Sequence, residues 1–237
     1  MKFPVPLQRG TLLRRYKRFL ADVRLDDGGE VTASCPNTGS MLGLCDPGIG
    51  VWLSRSDSPT RKYPHAWELT ELAANGGPTL VGINTGLPNK LVEAAIVDGA
   101  IPELSGFTSL RREVRYGINS RIDLLLEFPA GKLCYVEIKN VHMSRQPGLA
   151  EFPDCVSERA AKHLVELTQM VAEGHRAVML YLIQRSDTER FKIAGDLDPA
   201  YRAGFAAASA AGVEALAYDC RIATTGIDVA RRLPLTP

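Results

Sequence analysis

The segment that most restricts the fold of this chain is residues 120–139, SRIDLLLEFPAGKLCYVEIK. Two runs rich in branched apolar residues flank the short sequence Phe-Pro-Ala-Gly-Lys. Pro129 suits the second position of a type I turn, and Gly131 suits the left-handed residue of a three-residue hairpin loop. The segment therefore predicts a β-hairpin that is closed by Phe128 and Lys132.

The closing pair sets the register of the two predicted strands, and this register opposes like charges. Asp123 faces Glu137, and Arg121 faces Lys139. Because side chains alternate along a strand, these four charged residues share one face of the hairpin. A solvated face laced with ion pairs, the simplest alternative, would instead place acids opposite bases. The other face is apolar, with Ile122, Leu124 and Leu126 facing Ile138, Val136 and Cys134.

A divalent cation would remove the conflict between the two acids. Mg²⁺ prefers oxygen ligands and commonly takes one or two carboxylates together with phosphate oxygens. A neighbouring lysine can orient an attacking water or offset charge on a phosphate. We therefore predict that Asp123 and Glu137 hold Mg²⁺ or Mn²⁺, and that Lys139 completes a catalytic site for phosphodiester hydrolysis.

The elements around the hairpin indicate a mixed α/β domain. Residues 89–97 have helical periodicity. Because a helix between two strands implies a parallel crossover, the later part of the chain is expected to form a sandwich of helices and sheet. The hairpin strands are part of a longer series: strand-like runs at 113–118, 121–128 and 132–141, an amphipathic helix over about 157–174, and a buried strand at 177–184. This order, with Asp followed by Glu-x-Lys, resembles the restriction-endonuclease-like nuclease superfamily. In that superfamily a preceding helix often contributes a further acid, so the resemblance implies that Glu93 is a candidate metal ligand; the alternative is a solvated helix face.

Glycine and proline interrupt the first third of the chain, and the segments between them are typical of short strands. Residues 19–25, 30–35 and 50–54 combine alternation with β-branched residues. Such a series predicts an all-β module of about five strands, such as a small barrel. We place this first domain at residues 1–80 and the mixed α/β domain at residues 81–237.

Positive charge is concentrated near the start of the chain. Residues 1–24 hold seven basic residues and one acid, with Tyr16 and Phe19 interleaved among them. Such surfaces pair phosphates with Lys or Arg and stack bases on aromatic rings. The alternative is a basic strand edge with Phe19 in the core. A second basic group borders the predicted metal site, and the later helix adds two more bases. The predicted nucleic-acid contacts are Arg14, Arg15, Tyr16, Lys17, Arg18, Arg112, Arg115, Arg121, Arg159 and Lys162.

The composition excludes several other classes of protein. Basic and acidic residues number 28 and 27, so a nucleic-acid site must be a local patch. The five cysteines are odd in number and contain no CxxC pair, which argues against a disulfide framework or a zinc ribbon. The apolar run at residues 177–183 is too short to cross a bilayer, and the first ten residues lack the apolar stretch of a signal peptide. We expect a cytoplasmic protein.

Two further residues have a functional and a structural interpretation. Cys35, in Cys-Pro-Asn-Thr-Gly, could present a thiol nucleophile, but a turn formed by the Pro, Asn and Gly explains the same residues. His163 could touch substrate from the polar face of its helix, although a hydrogen-bonded surface group is the simpler expectation.

Seven phrases spread over nearly the whole chain carry a family resemblance. They are RYKRFLADV (15–23), CPNTGSM (35–41), INTGLPNKLV (83–92), REVRYGINSRIDLLL (112–126), YVEIKNV (135–141), FPDCVSERAAKHLVEL (152–167) and VEALAY (213–218). Together they closely resemble the sugar fermentation stimulation protein A family. The resemblance implies an OB-like N-terminal barrel joined to a nuclease-like domain, DNA binding without strong sequence preference, and a role in regulating sugar (maltose) metabolism. The nuclease-like acids of the family fall on Asp123 and Glu137, with Lys139 beside them.

Two classes of function follow from these patterns. One is a DNA-binding protein with a Mg²⁺-dependent nuclease-type site, and the other is a non-catalytic DNA-binding regulator whose hairpin only retains ancestral charges. An enzyme acting on a small phosphorylated metabolite is disfavoured, because the sequence has no Gly-rich phosphate loop of the usual spacing. The expected partner is DNA, without sequence specificity and without a membrane, and a homodimer is left open.

Overall fold

The first domain is a closed β-barrel. The computed structural model describes residues 1–74, 77–117 and 119–236. Its first strands are β1 (Gln8–Tyr16), β2 (Leu20–Leu25), β3 (Glu30–Ser34), β4 (Gly50–Arg55), β5 (His65–Ala74) and β6 (Gly77–Gly82). They form a sheet in the order β3-β2-β1-β4-β5-β6, and a parallel pairing of β3 with β5 closes the first five strands into a barrel. The predicted five-stranded barrel is confirmed.

Alternating residues of these strands fill the barrel. The largest side chain inside is Trp67, which is fully buried and donates from its indole nitrogen to the Leu69 carbonyl at 2.9 Å. Leu12, Val23 and Leu53 pack in the same core. Leu69 itself belongs to the core of the second domain, so the barrel wall faces apolar residues on both of its sides.

The second domain is a mixed α/β sandwich. Its elements are α1 (Pro88–Val97), β7 (Ser109–Tyr116), β8 (Ser120–Phe128), β9 (Lys132–Val141), β10 (Met143–Gln146), β11 (Gly148–Phe152), α2 (Glu158–Ala172), β12 (Arg176–Ile183), β13 (Thr188–Ile193), α3 (Pro199–Ala210), β14 (Glu214–Ala223), β15 (Gly226–Arg232) and β16 (Leu235–Thr236). The main sheet has the order β15-β14-β12-β9-β8-β7, and β12 is parallel to both β9 and β14. For the elements of the main sheet, the predicted order of helix, three strands, helix and strand is confirmed, but the unpredicted strands β10 and β11 lie between β9 and α2. Ile118, the last residue of the predicted strand 113–118, lies outside the described residues. A smaller sheet has the order β10-β11-β13-β16.

Helices cover both faces of the main sheet, which explains the continuous apolar run of β12. Val178, Leu180 and Leu182 pack in the core beneath α1, whereas Met179 and Tyr181 pack beneath α2 and α3. A strand that is buried on both faces has no polar side, as expected for the centre of a parallel sheet. Ser157 is the N-cap residue of helix α2, and its side chain accepts a hydrogen bond from the Ala160 amide.

The hairpin has the predicted register but not the predicted turn. Leu124 pairs with Val136, Leu125 with Tyr135 and Phe128 with Lys132, as the closing pair requires. The expectation of a type I turn is wrong, because Ala130 takes a left-handed conformation with φ of 63° before Gly131, with φ of 71°.

The prediction of a wholly apolar second hairpin face is also wrong at one position. Leu124 and Leu126 lie in the core beneath α1, but Ile122 lies in the core beneath α2, where Leu125 also packs. Regular alternation would keep Ile122 with Leu124. The strand therefore turns over between these residues, and Asp123 lies at the turning point.

The barrel and the second domain are in direct contact. The Gly82 amide donates to the Gln184 carbonyl at 2.9 Å, and a Cβ at Gly82 would lie 2.5 Å from the Gln184 side chain. Gln184 in turn donates to the Asn140 side chain in β9 at 2.8 Å. Strand β6 ends at Gly82, beyond the predicted boundary at residue 80, and Gly82 takes part in this contact. The division into residues 1–80 and 81–237 stays a prediction.

In the described part of the chain, none of the helices has the length and apolar character needed to cross a membrane.

The barrel depends on a glycine in β1, at a point where the neighbouring strand approaches closely. Gly10 pairs with Leu25 on one side and Val51 on the other, and a Cβ there would lie 2.6 Å from Val23 and 2.7 Å from the Arg24 carbonyl. We expect Gly10→Ala to lower the free energy of unfolding by about 1–3 kcal/mol, because overpacking forces the strands apart. Urea unfolding measures this, with Gly29→Ala in an exposed turn as the control. Equal stability of the two variants would contradict the role given to Gly10.

Candidate functional site

Asp123 lies where both of its neighbouring strands depart from regular pairing. The ladder between β8 and β9 ends at Leu124 and Val136, one residue short of Asp123. In β7, Glu113 beside this position has a left-handed φ of 52°. The Asp123 carboxylate takes the place of the missing ladder bond, because it accepts a hydrogen bond from the Ile138 amide at 2.7 Å. Its other oxygen accepts a hydrogen bond from the Asn89 side chain of α1 at 2.8 Å.

Glu137 and Lys139 project together from β9 toward α2. The Lys139 ammonium donates to Glu137 Oε1 at 2.8 Å, and His163 of α2 contacts the same oxygen through Nδ1. Lys139 Nζ and His163 Nδ1 are 3.3 Å apart. The expectation that His163 is a surface group is wrong, since its exposed fraction is only 4%. One oxygen of Glu137 is therefore held by two nitrogen groups.

The two acids differ in pKa although they lie close together. Burial, and then the negative charge of Glu137, raise the pKa of Asp123 above its usual value. Burial would also raise the pKa of Glu137, but the hydrogen bond with His163 and the charge of Lys139 outweigh it, and the pKa of Glu137 is lowered. Glu137 is thus held as a carboxylate, and Asp123 is the acid that protons reach first.

The arrangement leaves one carboxylate oxygen for a ligand. Glu137 Oε2 is buried and accepts no hydrogen bond from any residue that the structure describes. A buried, unpaired carboxylate oxygen is costly unless a cation or a donor meets it. Oxygen donors of this kind fit Mg²⁺ or Mn²⁺. Within residues 1–74, 77–117 and 119–236, no three His, Cys, Asp or Glu side chains converge closely enough to surround an ion directly.

Glu93, the predicted third ligand, has another partner in this structure. It lies one turn beyond Asn89 on α1, and its carboxylate forms an ion pair with Arg112 of β7. Its role as a metal ligand stays a prediction. The same contact engages the predicted nucleic-acid contact Arg112, whose side chain is 55% exposed.

The basic residues of the barrel divide into two kinds. Arg15 donates to the carbonyls of Arg18 at 2.9 Å, Asn37 at 2.8 Å and Gly39 at 2.9 Å, so its guanidinium ties the 35–41 loop to β1. Lys17 and Arg18, in contrast, are exposed at the β1–β2 turn with left-handed φ angles of 49° and 65°. The structure thus gives Arg15 an internal role and presents Lys17 and Arg18 to solvent.

An aromatic pair accompanies these bases. Phe19 is 50% exposed, so the alternative that it lies in the barrel core is wrong. Tyr16 is half-buried, and the Arg14 guanidinium lies 5.0 Å from the centre of its ring. Arg14 also donates to Asp22 at 2.7 Å. Phe19, Lys17 and Arg18 therefore form the exposed tip of the turn.

The remaining predicted bases lie around the second domain. Arg115 and Arg121 pair across β7 and β8 and line a surface cavity at the β7–β8 turn. Arg159 is exposed near the start of α2, and Lys162, one turn on, lies 3.4 Å from Glu166.

Two loops join the barrel turn to the candidate site. Ser40 of the 35–41 loop donates to Asp154, before α2, at 2.8 Å, and Thr85 donates to the Pro36 carbonyl at 2.6 Å, just before α1. Burial and Asp154 raise the pKa of Cys155, while the charge of Arg18 opposes the shift, which places Arg18 near this loop. The basic tip of the barrel and the start of α2 thus border one surface.

The structure does not support the interpretation of Cys35 as a thiol nucleophile. Its exposed fraction is 2%, and burial raises the pKa of the thiol. Its sulfur lies among Met41 and the Asn37 carbonyl. Raising the pKa of a thiol disfavours the thiolate that attack requires.

Two side chains near the site, those of Asn89 and Glu166, were outside the sequence prediction, and His163 was considered only as a substrate contact or a surface group. Asn89 holds Asp123, His163 holds Glu137, and Glu166 lies buried one turn beyond His163. Their common signal is a polar residue at a position that helical periodicity directs toward the sheet. His163 and Glu166, three residues apart, share one face of α2.

A closed barrel joined to a mixed sheet that carries Asp123, Glu137 and Lys139 is the organisation of an OB domain followed by a restriction-endonuclease-like domain. Comparison with known families agrees: residues 13–83 match the SfsA N-terminal OB domain, and residues 86–226 match the sugar fermentation stimulation protein RE domain. The chain belongs to the sugar fermentation stimulation protein family.

Individual relatives support this assignment along the full chain. A sugar fermentation stimulation protein homolog of Brucella ovis is 59% identical over 235 residues, 99% of this chain and 97% of the relative. The homolog of Brucella melitensis biotype 1 is 58% identical over the same length. The structure of Pyrococcus furiosus SfsA in complex with Ca²⁺ has a TM-score of 0.88 and 28% identity, covering 100% of this chain and 98% of that one.

The electrostatic coupling of the two acids can be measured directly. Since the negative charge of Glu137 contributes to the raised pKa of Asp123, Glu137→Gln should lower that pKa. The positive charge of Lys139, no longer paired with Glu137, also lowers the pKa of Asp123. Carboxyl ¹³C shifts of Asp123 against pH, without divalent ions, give the value. Glu127→Gln, on the same strand near the hairpin turn, is the control and should leave it unchanged. A pKa that stays equal or rises in Glu137→Gln would contradict the proximity of the acids.

Proposed function

We propose that this protein binds DNA without sequence specificity in the cytoplasm and carries a divalent-cation-dependent site for phosphodiester hydrolysis. The observation that carries the proposal is the state of Glu137: one oxygen is held by Lys139 and His163, and the other is buried and accepts no hydrogen bond from the described residues. A structural ion pair would satisfy both oxygens. The arrangement is that of a carboxylate prepared for a cation.

Mg²⁺ or Mn²⁺ fits the chemistry of these donors. Asp123 and Glu137 would hold the ion, and Glu93 would join them if it exchanged its ion pair with Arg112. When bound, such an ion supplies positive charge against the developing negative charge of a phosphodiester. The Ca²⁺ complex of the Pyrococcus furiosus relative supports a hard divalent ion in this family.

The residues of the chain have separate tasks in this proposal. Asn89 and the Ile138 amide fix the orientation of Asp123, and His163 fixes Glu137. The side chain of Lys139 is 13% exposed, and its ammonium donates to Glu137 beside Asp123. From there it can orient a water molecule for attack or offset charge on the phosphate.

The DNA would lie across the surface shared by the two domains. Lys17 and Arg18 would contact phosphates, and Phe19 offers a ring on which a base can stack. Arg159 continues the positive surface along α2, while Arg115 and Arg121 lie at the β7–β8 turn. Contacts of this kind carry affinity without reading sequence.

One observation favours a second candidate, a non-catalytic DNA-binding regulator of sugar metabolism. Among the described residues, three acids do not converge for direct coordination, and Glu93 is occupied by Arg112. Such a protein would bind DNA with the same surface and leave it intact.

Cleavage assays separate the two candidates. With Mg²⁺ or Mn²⁺ and labelled single-stranded DNA, duplex DNA, branched DNA and RNA, we expect Asp123→Asn and Glu137→Gln to reduce cleavage by roughly 10²-fold or more. Glu127→Gln removes an acid from the same strand outside the site and should retain full activity. DNA binding by all three variants should persist, because the basic surface is unchanged. Absence of cleavage on every substrate, or equal cleavage by all variants, would leave the regulator as the function.

The binding surface is tested by charge removal. The double variant Lys17→Gln with Arg18→Gln should lower the slope of log affinity against log salt by up to about 2, to a similar extent for unrelated sequences. The pair Arg24→Gln with Lys132→Gln removes the same charge from exposed positions away from the turn and should leave the slope near that of the unaltered protein. Fluorescence anisotropy at several salt concentrations measures both. A loss confined to one DNA sequence would indicate base readout instead.

A further inference from the structure

Glu166 is a buried acid that the catalytic arrangement described above does not use. It lies on α2 with an exposed fraction of 5%, and both of its carboxylate oxygens are buried. Neither oxygen accepts a hydrogen bond from a residue that the structure describes. Lys162, whose side chain is 48% exposed, lies 3.4 Å from one oxygen. A carboxylate in this state needs a further partner inside the protein.

The carboxylate of Glu166 is directed toward the candidate site. It contacts the β7–β8 turn, where a Cβ at Gly117 would lie 3.0 Å from Glu166 Oε1. It also shares a face of α2 with His163, which contacts Glu137. Glu166 and Glu137 therefore border the same space between α2 and the sheet.

Tyr116 marks that space from the side of β7. Its hydroxyl is buried and has no hydrogen-bond partner among the described residues. Burial raises the pKa of this phenol, and the charges of Glu137, Glu166 and Asp123 raise it further. The hydroxyl is thus close enough to three carboxylates for their charges to act on it. The Tyr116 hydroxyl, Glu137 Oε2 and the Glu166 carboxylate all have buried oxygens without a hydrogen-bond partner among the described residues.

The oxygens that lack hydrogen-bond partners among the described residues fit a hydrated cation. Glu137 and Glu166 are buried acids and Asp123 is partly buried, with Lys139 beside Glu137 and Lys162 beside Glu166. Mg²⁺ commonly retains several waters that hydrogen-bond to surrounding oxygens. Carboxylates that bind such waters stabilise the ion without touching it.

We propose that Glu166 is a positioning carboxylate of the divalent-cation site, which accepts hydrogen bonds from waters of the ion held by Asp123 and Glu137. The role through water agrees with the absence of three directly converging ligands in the described part of the chain. This inference rests on the proposed function, because it requires that the two acids bind a divalent ion. It adds a third acid, from α2, to the residues that set the affinity for that ion.

Mn²⁺ binding to the full-length protein, followed by the electron paramagnetic resonance signal of free Mn²⁺, tests the inference without an activity assay. Glu166→Gln should weaken Mn²⁺ binding by roughly 10-fold or more, the effect expected when a carboxylate around a bound ion is lost. Glu158→Gln, at an exposed position on the same helix, should stay within about 2-fold of the unaltered protein.

Thermal unfolding separates this role from a purely structural one. Without metal, Glu166→Gln should be as stable as the unaltered protein or more stable, because it removes a buried carboxylate whose oxygens accept no hydrogen bond from the described residues. Added Mn²⁺ should then raise its unfolding temperature less than it raises that of the unaltered protein. If Glu166→Gln does not fold, the inference is tested on Glu166→Asp, which keeps the charge and should still bind Mn²⁺ measurably more weakly than the unaltered protein.

The outcomes are distinguishable from failure of the proposed function. Mn²⁺ binding that is abolished by Glu137→Gln but unchanged by Glu166→Gln would overturn this inference alone. A metal-free Glu166→Gln protein that is clearly less stable, with unchanged Mn²⁺ affinity, would also overturn it. Absence of Mn²⁺ binding by the unaltered protein would overturn both proposals.

Discussion

The organisation of the site depends on one hydrogen bond, from the Ile138 amide to the Asp123 carboxylate at 2.7 Å. An amide in the middle of a sheet normally donates to a carbonyl of the next strand. Here the ladder between β8 and β9 stops at Leu124 and Val136, and a side chain accepts instead. The backbone donor stays satisfied while the strands separate, so Asp123 and Glu137 can both reach the gap. Without the Asp123 carboxylate as acceptor, separation of the strands would leave the Ile138 amide unpaired.

The helices on the two faces of the sheet hold the acids from different sides. Asn89 of α1 binds Asp123, and His163 of α2 contacts Glu137. The apolar residues of these helices pack in separate cores, which fixes the helices to opposite faces. Two like charges are thus kept close by contacts that do not involve each other. Holding two like charges close together is unfavourable, and the burial of apolar side chains in the two cores offsets this free energy.

The sequence predicted the parts of this structure that follow from local rules. The hairpin register, the barrel and the order of the helices and strands of the main sheet follow from turns and periodicity, and they were confirmed. The unpredicted strands β10 and β11, the reversal at Ile122 and the burial of His163 depend on contacts between distant segments, which periodicity does not contain. Arg15 illustrates the same limit, because a surface base and a base that binds three loop carbonyls have identical sequence patterns.

The contact at Gly82 has a consequence for how such a protein can change over time. Gln184 touches Gly82 at one end and holds Asn140 at the other, and Asn140 follows Lys139 directly in β9. A nuclease-like module that exchanged its barrel for an unrelated one would lose the support of this strand. The barrel and the nuclease-like module are therefore expected to be inherited together. Recombination between distant members of the family should be tolerated better at positions away from the contact of Gly82 with Gln184 than at positions that separate these two residues.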